Sequence, residues 1–320
     1  MSVADALLTK MKTYKLSITL DKDLSRVMDR KGDWNFYFHS PTKRYLPAVN
    51  FILDRGFAKG PALIQWMKNN SADEIERKLK VAGDRGDAIH QFISKIFSGE
   101  AKDRLCQILA EDNKTSRVLT DDEWDAILAF QEFWNNHEPI LLAYEKPIYD
   151  LKIGYAGTMD AIIKLTKQCD FKTCKCKNFL NQWGLFDWKS GSGIYPSYGP
   201  QIAAYGASQS IKAYLGKVGK VKLGYSAILR IGTNHKQGYE FVPYDKKESN
   251  LNWKKFLAAL IIADFEPFDE KEIYEVPDIL NIIIKQVKQE QFKAPQTNAK
   301  RTKISGQSQH RAIVKPGKKN

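Results

Sequence analysis

Three short runs, Gly157-Thr-Met-Asp160, Asp187-Trp-Lys189 and Gln201-Ile-Ala-Ala-Tyr205, lie inside one stretch of the chain, and the patterning around them decides the fold. Residues 155–165 are rich in apolar and β-branched side chains, and Leu185-Phe-Asp-Trp-Lys189 alternates, so both read as strands of a half-buried sheet. Successive strand side chains point to opposite faces. Asp187 and Lys189 therefore share a face, about 7 Å apart, with Phe186 and Trp188 on the other. The turn-forming run Ser190-Gly-Ser-Gly193 follows, and then a helix over about residues 197–212. Gln201 and Tyr205, four positions apart, occupy one face of that helix. Two carboxylates and a lysine converge. A carboxylate pair on adjacent strands suits a hard divalent cation such as Mg²⁺, which takes oxygen ligands and keeps several waters.

In order and element type, G-x-x-D, then (D/E)-x-K, then Q-x-x-x-Y resembles the PD-(D/E)XK nuclease superfamily in its RecB-like branch. The resemblance implies metal-assisted phosphodiester hydrolysis. Asp160 and Asp187 would hold Mg²⁺ or Mn²⁺, with the backbone carbonyl of Trp188 as a further ligand. Lys189 would position the attacking water, and Gln201 and Tyr205 would orient Lys189 or the DNA strand. Upstream, Gly86-Asp-Ala-Ile-His90 resembles the G-x-x-x-H helix of the same branch, which implies that His90 would be an additional metal ligand. Glu145 lies on a strand where the family often places a glutamate and is a further candidate.

Leu46-Pro-Ala-Val-Asn-Phe-Ile-Leu53 resembles a segment of phage-encoded exonucleases and of the mitochondrial genome maintenance exonuclease family. Ala48 and Asn50 stand here where that segment carries hydroxyl residues. A helix with Trp66 follows, as in that family. The implied function is a metal-dependent DNA exonuclease of phage-type recombination, repair or replication. The alternatives are a structure- or sequence-directed endonuclease of the same fold and a non-catalytic DNA-binding module. The implied partner is DNA, as single strands or duplex ends, with any single-strand-annealing or replication protein unidentified.

At 320 residues and 43% hydrophobic content, the chain is long enough for a real core. It contains no run of 18 apolar residues and no recognisable leader, and reads as soluble and cytoplasmic, in a bacterial or phage-infected host cell. The net charge of +13 is uneven, since residues 293–320 hold eight Lys or Arg and no Asp or Glu. That composition reads as a disordered basic tail able to hold phosphates non-specifically. The expected fold class is α/β, a restriction-endonuclease-like mixed sheet flanked by helices, with an N-terminal helical portion. The expected divisions are an N-terminal segment over 1–45, a nuclease domain over 46–292 and the tail over 293–320.

The remaining patterning fills in the scaffold. Strands are expected over about 14–20, 34–38, 144–153, 220–231 and 239–244, with residues 45–53 an extended approach segment. Helices are expected over 61–68, 72–79, 86–97, 120–137, 246–263 and 277–291. Ile89, Phe92, Ile93, Ile96 and Phe97 form a buried stripe on one of them, and Thr120 with Glu123 forms a capping box on another. Tyr195, Tyr198 and Trp183 are aromatics that could stack single-stranded bases. His235 reads as a loop residue. An insertion over 166–181 carries Cys169-x4-Cys174-x-Cys176. A zinc site needs four ligands and a fourth is missing locally, while the spacing differs from that of iron–sulfur RecB-like nucleases, so the expectation is free thiols. No phosphate-binding G-x-x-x-x-G-K-[S/T] loop occurs.

Overall fold

Alternating and β-branched runs become strands, and the chain arranges most of them in two sheets. The computed structural model describes residues 19–263 apart from 22, 28–34, 102, 111–114, 220 and 233–237. The first sheet is antiparallel and contains β1 (Thr19–Asp21), β2 (Leu24–Val27), β3 (Phe36–His39) and β4 (Arg44–Pro47), in that spatial order. Helices α1 (Val49–Gly56), α2 (Pro61–Lys68) and α3 (Ala72–Ser98) follow. A short ribbon, β5 (Ile108–Leu109) with β6 (Ser116–Arg117), leads into α4 (Asp121–His137). The large sheet uses β7 (Ile140–Asp150), β8 (Tyr155–Lys164), β9 (Trp183–Lys189), β10 (Leu223–Ile231) and β11 (Tyr239–Tyr244). Helices α5 (Tyr198–Ala207) and α6 (Gln209–Lys217) come between β9 and β10, and α7 (Lys246–Ile262) follows β11.

The large sheet is mixed, with spatial order β11-β10-β9-β8-β7. Only β9 and β10 run parallel; the other neighbours are antiparallel. The α5–α6 pair supplies the long crossover that a parallel pair requires. Strand alternation sorts side chains between two apolar layers. Ala161, Ile163, Phe186, Trp188, Ala227 and Leu229 pack with α3 and α4 on one face. Ile162, Leu185 and Ile228 pack with α1, α5, α6 and α7 on the other. The chain is thus α/β, with helices covering both faces of its central sheet.

Local chemistry explains where several expectations shift. Residues 49–53 form helix α1, not an extended segment, because Val49, Ile52 and Leu53 fall at helical spacing and are buried together. The two segments expected over 72–79 and 86–97 are one helix of 27 residues. Ser71 caps its start by accepting from the Glu74 amide at 3.3 Å, and Gly99, at φ 79, ends it. Internal Gly83 and Gly86 cost about 1 kcal/mol each, too little to break the ladder. Conversely, the single helix expected over 197–212 divides at Ser208. That residue turns extended, and its Oγ accepts from the Ile211 amide at 3.4 Å to cap α6. The Thr120–Glu123 capping box on α4 is present, and Asp245 with Glu248 forms another on α7.

The N-terminal portion holds an antiparallel sheet as well as helices, and the expected division at 45/46 falls inside β4. Ala48 forms a parallel bridge to Ala156, so this sheet meets the large one through hydrogen bonds, and Leu24, Tyr37, Leu46, Ala48 and Ala156 share a small core. Of the strand expected over 14–20, residues 14–18 lie outside the described residues, as do His235, the helix expected over 277–291 and the tail. Among the described residues no helix is long and apolar enough to cross a membrane.

Helix α1 approaches α7 so closely at Gly56 that a Cβ there would lie 1.9 Å from the Ala259 carbonyl oxygen. Gly56→Ala should therefore lower unfolding stability by about 1–3 kcal/mol through overpacking against backbone. Urea denaturation checks this; an unchanged midpoint would mean that the two helices do not meet at Gly56.

Candidate active site

The site begins where a ladder stops. Strands β8 and β9 pair from Lys164↔Trp183 to Ala161↔Phe186 and no further. The next residues in register are Asp160 and Asp187, but the strands part there. The Trp188 amide, released from β8, instead donates to Asp160 Oδ2 at 2.6 Å. On its other side β9 stays paired with β10 as far as Lys189↔Arg230. The sheet thus opens between two strands and sets both carboxylates in the opening, each buried.

Asp187 is held by its neighbours. Gln201 Nε2 donates to its Oδ1 at 3.3 Å and to the Tyr205 hydroxyl at 3.0 Å. Lys189 Nζ forms an ion pair with Oδ2 at 2.7 Å, so each oxygen of this buried carboxylate has a partner. Burial pushes the Asp187 carboxyl up to about 6; the Lys189 ammonium opposes the shift and the Asp160 carboxylate adds to it. The resemblance implies that Gln201 orients Lys189 or DNA, whereas here it orients Asp187. Tyr205 supports Gln201 from the same helical face, and its burial raises the phenol well above its usual range. Gly157 makes room for that ring, since a Cβ at 157 would lie 2.7 Å from Tyr205 Cε1. The glycine of the first run and the tyrosine of the third are therefore one packing unit.

From α3, His90 reaches the same opening. Its Nε2 donates to the Trp188 carbonyl at 3.2 Å, and its Nδ1 faces Asp160 Oδ1 at 3.4 Å and Glu145 Oε1 at 3.9 Å. Burial opposes charge on this imidazole, but the Asp160 and Glu145 carboxylates outweigh it and raise His90 well above its ordinary value. Glu145 sits on β7 between Tyr144 and Lys146, which pair with Ala161 and Met159. Its φ of 43 lies in the left-handed region that non-glycine residues seldom adopt. Such strain concentrates where a side chain must be aimed. Burial, with the Asp160 charge, raises the Glu145 carboxyl; His90 opposes this.

This donor set fits a divalent cation. Ligand atoms of His90, Glu145 and Asp160 all lie within 4.8 Å of one another. Asp187 adds a second buried carboxylate, with Lys189 on its Oδ2. Carboxylates suit Mg²⁺ or Mn²⁺, and imidazole is accepted more readily by the transition metal. The Trp188 carbonyl is engaged by His90, and its indole is buried on the opposite face.

The structure thus gathers His90, Glu145, Asp160, Asp187, Lys189, Gln201 and Tyr205 around one opening. Tyr198 places its ring 4.9 Å from Lys189 Nζ and meets Tyr195 edge-on at 5.3 Å. Trp183 is at the far end of β9, stacked under Lys164, and does not belong to the site. Sequence reasoning missed two arginines. Arg85 Nη1 donates to the Ser190 carbonyl at 2.8 Å and Arg230 Nη1 to the Ser192 carbonyl at 2.7 Å, fixing the turn after Lys189. Arg85 precedes His90 by five residues on one helix, but nothing in its own neighbourhood marks that role. No protein-family model matches the chain, and no curated protein proves similar to it.

Gln201→Ala removes the hydrogen-bond donor to Asp187 Oδ1 and leaves Lys189 on Oδ2. It should destabilise the metal-free protein by about 1–3 kcal/mol, the penalty of a buried acceptor left unmatched. Chemical denaturation in chelator reads this, and an unaltered midpoint would remove Gln201 from the support of Asp187.

Proposed function

We propose that the chain is a metal-dependent deoxyribonuclease of the PD-(D/E)XK type, an exonuclease in preference to an endonuclease, acting on single-stranded DNA or duplex ends. The carrying observation is the opening between β8 and β9. It collects Asp160, Asp187, Lys189 and His90 from α3, β8 and β9, with both carboxylates buried, the Lys189 ammonium 2.7 Å from Asp187 and the His90 ring 3.4 Å from Asp160. The mixed sheet of β7 to β11, with α5 following the strand that carries Asp187 and Lys189, supports reading it as a restriction-endonuclease-like core. Preference for exonuclease action rests on the resemblance of residues 46–53 to phage exonucleases.

His90, Glu145, Asp160 and Asp187 would hold Mg²⁺ or Mn²⁺, which when bound polarises the scissile phosphate and lowers the pKa of bound water. The remaining steps belong to the chain. Gln201, braced by Tyr205, fixes the Asp187 carboxylate through Oδ1 and leaves Oδ2 to Lys189. Lys189, with its ammonium at the same carboxylate and beside the Tyr198 ring, stands where it can orient the attacking water and offset charge developing on the phosphate. His90, donating to the Trp188 carbonyl, keeps its other ring nitrogen directed at Asp160 and Glu145. The positive charge of the chain draws the polyanion toward the site.

Purified protein should digest end-labelled DNA only with Mg²⁺ or Mn²⁺ and spare covalently closed circles. Asp160→Ala, Asp187→Ala and Lys189→Ala should each lower the rate by about a thousandfold, equivalent to losing about 4 kcal/mol of transition-state stabilisation. Retained DNA binding would show that the loss is chemical. Near-normal cleavage by any of the three would overturn the assignment, and efficient nicking of circles would turn it toward an endonuclease.

A further inference from the structure

The insertion between β8 and β9, residues 166–181, has little means of holding itself. It contains four lysines and, for regular structure, only the single 3₁₀ turn Cys176–Phe179. Yet Cys169 and Cys176 are buried against the main core, and Cys174 packs on the same cluster. Beside them stands His137, the last residue of α4, which the sequence presents only as the end of a scaffold helix. Its ring is fully buried among Phe133, Tyr239 and Phe241.

We propose that His137, Cys169, Cys174 and Cys176 bind a single structural zinc ion that clamps the insertion to the end of α4. The four ligand atoms all lie within 4.8 Å of one another. Cys169 Sγ and Cys176 Sγ are 3.7 Å apart, and Cys174 Sγ is 4.0 Å from His137 Nε2. A tetrahedron with Zn–S bonds of about 2.3 Å has edges of about 3.8 Å, and the two separations of 3.7 and 4.0 Å are close to that. A disulfide needs sulfurs about 2.05 Å apart, and all the cysteines are free. An iron–sulfur cluster spreads its thiolates around several irons and bridging sulfides, whereas these four atoms all lie within 4.8 Å of one another.

The outer contacts agree. His137 Nδ1 faces the Lys167 carbonyl at 3.4 Å, the backbone partner that a metal-bound histidine commonly takes through its other ring nitrogen. The His137 carbonyl accepts from the Thr166 and Lys167 amides at 3.1 and 3.0 Å, which ties the start of the insertion to the same residue. The Tyr239 hydroxyl, now 3.1 Å from Nε2, also lies 3.3 Å from Asn136 Nδ2 and keeps that partner when Nε2 binds metal. Binding releases three thiol protons to solvent and leaves one net negative charge on the site, which the insertion's lysines offset. The site is remote in role from the carboxylates of Asp160 and Asp187 and needs no nuclease activity for its test.

Full-length, tag-free protein expressed with zinc should contain one zinc per chain by elemental analysis. Cobalt substitution should give the intense visible absorption of a tetrahedral ion, with thiolate-to-cobalt charge transfer. Cys174→Ser, at the least buried of the three cysteines, should lose most of the zinc, and Cys106→Ser should keep it. Zinc-free wild-type protein, stoichiometric iron, or a Cys174→Ser protein that retains a full complement would each overturn the proposal. Should Cys174→Ser fail to fold, the wild-type stoichiometry and cobalt spectrum still decide it.

Discussion

One hydrogen bond organises this molecule, that from the Trp188 amide to the Asp160 carboxylate. A strand that leaves its neighbour exposes a backbone donor, and a buried donor must find another acceptor. Here the acceptor is a carboxylate that the neighbouring strand projects at the point of separation. The sheet can therefore open without an unsatisfied amide, and the opening has acids at its rim. Everything else at the site follows from keeping it in shape. Strand β10 holds β9 straight through Lys189, Gln201 and Tyr205 brace Asp187 from α5, and Arg85 and Arg230 pin the turn that follows.

The electrostatics of the site are set by burial and by three neighbouring acids. His90 is drawn toward its charged form by two carboxylates, while Asp187 and Glu145 are pushed toward their neutral forms chiefly by burial. The neighbouring acids add to the effect of burial on both carboxyls, and His90 and Lys189 oppose it. A divalent ion would relieve the crowding of Asp160, Glu145 and Asp187 and leave Lys189 available to a phosphate or water. The zinc clamp we propose lies at the opposite end of the same two strands. Fixing the insertion after Lys164 and before Trp183 would hold the paired end of the ladder, from which the separation at Asp160 and Asp187 is measured.

Much of this was legible in the chain because its signals were local. Alternation over 155–165 and 185–189 locates the two strands, and the four-residue spacing of Gln201 and Tyr205 places them on one helical face. His90 is legible only through a spaced glycine. Glu145 is marked by position alone, since a left-handed backbone at a glutamate leaves no trace in composition. What Gln201 holds depends on which way the Lys189 side chain folds back, and sequence does not encode that. The role of Gly157 depends on the Tyr205 ring, forty-eight residues later. His137 escaped for the same reason: the cysteines beside it lie between about thirty and forty residues on, and only the return of β8 alongside β7 brings them together. Breaks and continuities of helices were misjudged where a capping serine or a tolerated glycine decided a small balance.

The central claim is that the opening between β8 and β9 binds a divalent ion through Asp160 and its neighbours. Titrating Mn²⁺ into the protein, with free Mn²⁺ followed by electron paramagnetic resonance, tests it without DNA and without any assumption about the reaction. Asp160→Asn is the informative variant, because the amide oxygen can still accept from Trp188 while the charge is lost. Saturable Mn²⁺ uptake by the wild type, weakened about tenfold or more in the variant, is the predicted result, since even losses outside the ligand shell cost about 10–100-fold in metal affinity. Equal uptake by both proteins, or none by the wild type, would contradict the account.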